Sequence, residues 1–209
     1  KLARWREAHG ELGALITGAS GAIYALRLLR ALLMGGHRVS LVFSKFGRYV
    51  LQDEVGLPAG QDFFAQLCKK YGESLQNGQL EEHKIGDLAA SIASGSVRVD
   101  GMAVIPCSMK TLSSIAHGTS VSLIDRAADV ALKEGRPLVL VPRETPFNLI
   151  HMRNMVTAAE AGARIVPAMP AFYQKPKTFD DLADFVAGRV LNLLGVEHDL
   201  FIPWRSEED

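Results

Sequence analysis

Three observations predict an α/β fold built on a doubly wound parallel sheet. Apolar runs of strand length alternate with helix-period segments along most of the chain. The first such run passes into its helix through a Gly-rich turn, Thr17-Gly18-Ala19-Ser20-Gly21. Met102–Ile105 and Pro137–Val141 are apolar throughout, as strands buried on both faces are. With right-handed crossovers the fold is Rossmann- or flavodoxin-like, with helices on both faces of the sheet. A chain of 209 residues fits one domain over residues 1–209, with residues 1–11 as a polar N-terminal extension.

The elements run in order along the chain. Leu12–Thr17 reads as the first strand, a short one, because Gly10–Ala14 is poor in β-branched residues. Gly21–Leu33 reads as a helix with Ile23, Leu26, Leu29 and Leu33 on one stripe. Arg38–Phe43 is the second strand and Lys45–Glu54 a helix. Leu57–Gly60 is a loop before a short helix over Gln61–Tyr71. Residues 72–86 are polar and Gly-containing, with no regular element predicted. Asp87–Ala93 is a helical turn and Met102–Ile105 the third strand. Ser108 caps a helix through Ala116, and Val121–Glu134 is a helix ended by Gly135. Pro137–Val141 is the fourth strand, Asn148–Ala161 a helix and Arg164–Val166 the fifth strand. Thr178–Leu194 is the last helix, closed by Gly195.

Composition narrows the function classes. Basic and acidic residues balance at 23 each, so no basic surface points to nucleic acid. No apolar run reaches membrane-spanning length, and the polar start does not read as a signal peptide. Cys68 and Cys107 have neither zinc nor redox spacing, which predicts reduced thiols and a cytoplasmic setting.

In a doubly wound sheet, ligands bind beyond the carboxyl ends of the strands. The five predicted strands lead into Gly18-Ala19-Ser20-Gly21, Ser44-Lys45, Pro106–Thr111, Pro142-Arg143-Glu144-Thr145-Pro146 and Pro167–Tyr173. Hydroxyls, backbone donors and charged groups thus converge on one rim. The Gly-rich turn aims helix-start N–H groups at one point, where an anion is favoured. A dinucleotide fold would want G-x-G-x-x-G and an acid ending the second strand; here only Gly18 and Gly21 are present and Ser44 ends that strand. Tyr173 and Lys177 have the Tyr-x-x-x-Lys spacing, but Pro176 between them opposes a continuous helix. A Walker loop is absent. A mononucleotide, FMN being the common case, fits best.

These motifs together resemble the UbiX family of flavin prenyltransferases, from about Leu15 to Trp204. The match runs through Gly18–Tyr24, Ser44-Lys45, Ser94-Gly95-Ser96, Pro106–Leu112, Arg126–Val130 and Leu132–Glu134, then Arg136–Pro146, Pro170–Tyr173 and Arg189. The resemblance implies transfer of a dimethylallyl group from dimethylallyl phosphate to N5 and C6 of reduced FMN. The product, prenylated FMN, would serve a separate UbiD-type decarboxylase. It also implies a homododecamer with sites between subunits. Gly18, Ala19, Ser20, Ser44, Ser108, Met109, Lys110, Thr111 and Arg143 would bind FMN. Lys133, Tyr173 and Arg189 would hold the phosphate of the prenyl donor, with Arg126 and Glu54 as further family positions.

Breaking an allylic C–O bond leaves a phosphate of growing charge, which cations and hydroxyls stabilise. Ring closure needs a base for the C6 proton, and Glu144, linked through Ser20, is the candidate, with the released phosphate as another. Each assignment has a plainer reading. Ser108 and Thr111 suit a helix cap, and Lys133 suits the last turn of its helix. Arg189 and Glu54 suit solvated helix faces, and Arg126 an interface.

Other patterns carry no such chemistry. Asp180-Asp181-Leu182-Ala183-Asp184 has the D-D-x-x-D spacing of magnesium-dependent isoprenoid synthases. Acids opening a helix are favourable without a metal, so no metal is expected. His117 and His151 read as structural, and Cys107 as a small buried residue. A cysteine decarboxylase of the same fold would carry Pro-Ala-Ser-Ala-Asn-Thr where this chain has Pro106-Cys107-Ser108-Met109-Lys110-Thr111. A flavin-binding module without catalysis would not need Lys133, Glu144, Tyr173 and Arg189.

Overall fold

The computed structural model describes residues 10–58, 60 and 62–202. Residues 1–9 of the expected extension, Gln61 of the third helix and Trp204 lie outside the described residues. The strands are β1 (Glu11–Ile16), β2 (Arg38–Phe43), β3 (Gln79–His83), β4 (Gly101–Cys107), β5 (Leu138–Pro142) and β6 (Arg164–Ile165). The α-helices are α1 (Ala22–Met34), α2 (Lys45–Val55), α3 (Phe63–Tyr71), α4 (Met109–Ala116), α5 (Leu123–Lys133), α6 (Leu149–Glu160) and α7 (Phe179–Leu194). The six strands are parallel in the order β3-β2-β1-β4-β5-β6, so the chain reverses direction across the sheet between β1 and β4.

Alternation along the buried strands sorts two cores. Val139 and Val141 of β5 face the core covered by α1, α2, α3 and α7. Leu138 and Leu140 face the core under α4, α5 and α6. In β4, Ala103 and Ile105 go one way and Met102 and Val104 the other. A register shift between Val104 and Cys107 then turns Cys107 to the second core.

Three expectations are corrected. The first strand is not short: β1 pairs with β2 from Glu11 to Ile16 and with β4 from Leu12 to Leu15. Glu11, expected in the extension, is already in the sheet. Its weak β-propensity is overridden by position. At Gly13 a Cβ would lie 2.7 Å from the Met102 Cβ, so the close approach of β4 excludes a larger residue there. The segment 72–86 is not irregular: a 3-10 turn over Glu73–Asn77 precedes β3. β3 is an edge strand, with Glu81 and Glu82 paired to Arg38 and Arg48 of the neighbouring β2–α2 unit. Charged side chains are common on such edges, which removes the apolar signal. Asp87–Ala93 contracts to a 3-10 turn over Ser91–Ala93.

The expected caps at Ser108 and Gly195 form: the Ser108 side chain accepts from a first-turn N–H, and Gly195 ends α7 in the left-handed region. Ser122, Asn148 and Thr178 also accept from first-turn N–H groups, Ser122 placing the start of α5 at Leu123 rather than Val121. Among the described residues no helix is long and apolar enough to cross a membrane.

Candidate active site

The carboxyl ends of β1, β2, β4 and β5 are tied into one rim. Thr17, 1% exposed, bridges β1 to β4: its Oγ1 donates to the Pro106 carbonyl at 2.8 Å and accepts from the Ser108 N–H at 2.7 Å. Ser44 N–H donates to Ile16 at 2.8 Å, and Arg143 N–H to Cys107 at 3.3 Å. These bonds bring the turns holding Gly18, Ala19 and Ser20, then Ser44, Ser108–Thr111 and Arg143-Glu144 to a common edge at the β1/β4 switch point. Thr17 received no role from the sequence; its signal is a hydroxyl immediately before the Gly-rich turn.

The head of α1 differs from the anion cradle the sequence suggests. Gly21 takes φ 104°, a left-handed value favouring glycine, and a Cβ there would lie 2.6 Å from the Tyr24 ring. Its N–H donates to the Glu54 carboxylate at 2.9 Å, and that of Ala22 also at 2.9 Å. A protein carboxylate from α2 therefore occupies these helix-start donors. Glu54 is thus a rim residue and not merely a solvated acid. The remaining polar groups at this rim are the Gly18–Ser20 backbone, the hydroxyls of Ser20, Ser44, Ser108 and Thr111, and the start of α4. Ser20 is exposed, whereas Ala19 is buried.

At the start of α4 the Ser108 Oγ accepts from the Thr111 N–H at 3.3 Å and donates to the Thr111 Oγ1 at 3.1 Å. The Met109 side chain packs against the second core, so its backbone N–H is what it offers the rim. Lys110 is exposed. These groups suit FMN: short hydroxyls and first-turn N–H groups match a phosphate and the polar edge of a flavin.

Arg143 and Glu144 are both exposed beyond β5. Among the described residues they form no ion pair with each other. The Glu144 carboxylate accepts from the Thr145 N–H at 2.9 Å, so it is turned onto its own loop and not onto Ser20. Burial pushes the Tyr24 phenol above its ordinary value, Arg143 pulls it down and Glu54 pushes it up. Tyr24, whose phenol feels both charges, is a second rim residue without a role from the sequence. The Cys107 thiol is fully buried, as its reading as a small buried residue expects, and desolvation pushes it up to about 12.

The residues assigned to the prenyl donor do not assemble within this chain. Tyr173 follows β6, whose exit is tied to the rim by Ala168 N–H donating to the Pro142 carbonyl at 3.1 Å. Its ring meets Phe185 edge-on at 5.9 Å. Lys133 ends α5 just before β5, and the neighbouring Pro137 carbonyl accepts from Met102 N–H at the start of β4. It therefore lies at the amino edge of the sheet, about 17 Å from the rim for a five-residue strand. There Lys133 contacts Glu134, beside Gly95 of the Ser94-Gly95-Ser96 turn. Arg189 is exposed on α7, eleven residues past the Thr178 cap and so about 16 Å down the helix. Arg126 pairs with Asp129 at 3.0 Å on α5.

The acidic run has protein partners. Asp181 completes the α7 capping box, and Asp180 and Asp184 both bind Arg27 of α1. Among the described residues no group of three or more His, Cys, Asp and Glu side chains is placed to hold a metal ion. His117 bonds to the buried Asn154 at 3.1 Å, and the His151 ring accepts at the head of α6, both structural roles.

Comparison with known proteins agrees with this architecture. The family model described as Flavoprotein matches residues 6–191. The flavin prenyltransferase UbiX of Halalkalibacterium halodurans is 48% identical over 194 residues, covering 93% of each chain. A crystal structure of AnUbiX (PadA1) in complex with FMN and dimethylallyl pyrophosphate superposes with a TM-score of 0.83 at 39% identity, over 95% of this chain and 98% of that one. A dodecameric FMN-dependent UbiX-like decarboxylase from Escherichia coli O157:H7 gives 0.79 at 43% identity, over 90% and 96%. The FMN-dependent cysteine decarboxylase TvaF, at 13% identity and a TM-score of 0.55 over 89% and 98%, shares the fold alone.

Proposed function

This chain belongs to the UbiX family of flavin prenyltransferases, and from that premise we propose how its own residues divide the reaction. The acceptor is reduced FMN, held at the rim by Gly18, Ala19, Ser20, Ser44, Ser108, Met109, Lys110, Thr111 and Arg143. The observation that carries this is the Thr17 bridge, which fixes the β1 turn and the α4 start at the switch point. Reduced FMN supplies the electron-rich N5 and C6 that accept the dimethylallyl group. Glu144 and Ser20 serve the C6 proton: the carboxylate leaves the Thr145 N–H and accepts the proton directly or through the Ser20 hydroxyl.

The donor is dimethylallyl phosphate. As its C–O bond breaks, charge grows on the phosphate, and the Tyr173 hydroxyl answers it from this chain. Lys133 and Arg189 stand too far from this rim, so Lys133 of the partner subunit and Arg189 of the partner subunit complete the donor pocket, with Arg126 at the interface. A homododecamer is the assembly that supplies them. Exposed Leu149, Met152 and Val156, one stripe of α6, support burial between subunits. Two buried free thiols support a cytoplasmic setting, and a UbiD-type decarboxylase receives the product.

The test is to incubate the protein anaerobically with reduced FMN and dimethylallyl phosphate and to weigh the flavin. The expected result is a flavin heavier by one prenyl group. A flavin of unchanged mass sinks the proposal.

A further inference from the structure

The acidic run that opens α7 closes on one buried cation. The Arg27 Nε donates to Asp184 Oδ1 at 2.5 Å and Nη2 to Asp184 Oδ2 at 2.6 Å, a two-pronged pair. Nη1 adds Asp180 Oδ2 at 3.1 Å, and the guanidinium lies 5.9 Å from the Tyr71 ring centre. Arg27 is 9% exposed. An apolar contact would hold two helices together as well. What the planar fork adds is a single geometry, fixing α7 against α1 in both register and rotation.

Each helix carries part of the reaction surface. The head of α1 is the Gly18–Gly21 turn. The segment before α7 is tied to that helix and its exit at three points. The Tyr173 ring packs on Phe185, the residue after Asp184. Gln174 Nε2 donates to the Ile202 carbonyl at 2.8 Å. Lys177 and Thr178 N–H groups donate to the Asp181 carboxylate at 2.8 and 2.9 Å. The head of α1 and the Tyr173 segment thus hang from opposite ends of one ion pair.

We infer that Arg27 is a positioning residue, which through Asp184 and Phe185 sets where Tyr173 stands relative to the flavin turn. This rests on the reading of Tyr173 as a donor contact. The double variant Arg27→Met/Asp184→Leu removes the fork and leaves no unpaired charge at its centre; Arg27→Lys keeps the charge without the fork. Both are measured as the assembled protein, beside Tyr173→Phe.

In the double variant, amide hydrogen exchange over residues 169–178 is expected to rise about tenfold, with α1 and β1 unchanged. The KM for dimethylallyl phosphate is expected to rise about tenfold, with kcat and the Kd for FMN unchanged. Arg27→Lys falls between. A stability contact alone would leave that split unmoved. Unchanged exchange over 169–178 overturns the clamp. Faster exchange with an unchanged donor KM, while Tyr173→Phe raises it, shows a structural tie only and overturns the positioning role. If Tyr173→Phe also leaves KM unchanged, the assignment of Tyr173 to the donor is what fails, and the positioning role fails with it.

Discussion

The flavin rim and the donor set use the same sheet in opposite ways. At the rim, turns after β1, β2, β4 and β5 meet because parallel strands end together, and Thr17, Ser44 and Arg143 bond them laterally. The donor set is scattered: Tyr173 follows β6, Lys133 precedes β5, and Arg189 lies well down α7. A doubly wound sheet gathers the turns at the carboxyl ends of its strands and disperses the segments that lead into them. On the proposed assignment, the acceptor half falls within one chain, and the donor half draws on more than one copy.

The largest expected effect separates the halves by chemistry. Glu144→Gln keeps the size and polarity of the side chain but removes the base. FMN binding, read by flavin fluorescence, should stay unchanged while single-turnover prenylation slows about a hundredfold or more. Equal loss of binding and turnover would move Glu144 from proton transfer to cofactor holding.

Lys133→Ala tests the dispersal directly. Alone it should lower turnover by at least about tenfold through the donor phosphate. Coassembled with Glu144→Gln chains, it should regain activity beyond the sum of the two pure variants, because mixed interfaces contain sites with both residues intact. Mixtures no more active than their parts would return Lys133 to a structural role at the end of α5.

Much of this division is readable from chain order, since Lys133 stands before β5 and Arg143 immediately after it. Caps at Ser108 and Thr178 and the apolar β5 are set by local chemistry alone. Glu54 at the head of α1 is not, because its contact with Gly21 spans 33 residues and depends on the α1–α2 docking. Nor is β3, whose Gln79–His83 segment becomes a strand by pairing with β2 rather than by apolar alternation. Arg27 is hidden for a related reason: in sequence it interrupts an apolar helix, and its partners lie 153 and 157 residues away.

Thr17→Val sharpens the comparison at the rim. The shape is nearly kept, but the Ser108 N–H and Pro106 carbonyl lose a partner that is buried. A loss of about 1–3 kcal/mol in denaturant unfolding is expected, together with weaker FMN binding. Unchanged FMN affinity would show that the β1 and β4 turns hold their spacing without the bridge.

The smallest effect belongs to the donor side and depends on pH. Asp181 accepts from the Lys177 and Thr178 N–H groups, and these bonds, with the Thr178 hydroxyl beside them, hold its carboxyl below the ordinary 3.8. A depressed folded-state value means the unfolded chain binds the proton more readily. The stabilisation is therefore present above the unfolded value and lost as pH falls through the folded one. Asp181→Asn removes the charge at every pH. Its Tm should lie below that of the parent at about pH 6, and the gap should close as pH falls below about 4. Hydrogen exchange at Lys177 and Thr178 should take the same course, while the Thr17–Ser108 bridge, which has no titrating group, should not. A Tm gap constant down to about pH 2 would mean that the cap acts through hydrogen-bond geometry and not through charge.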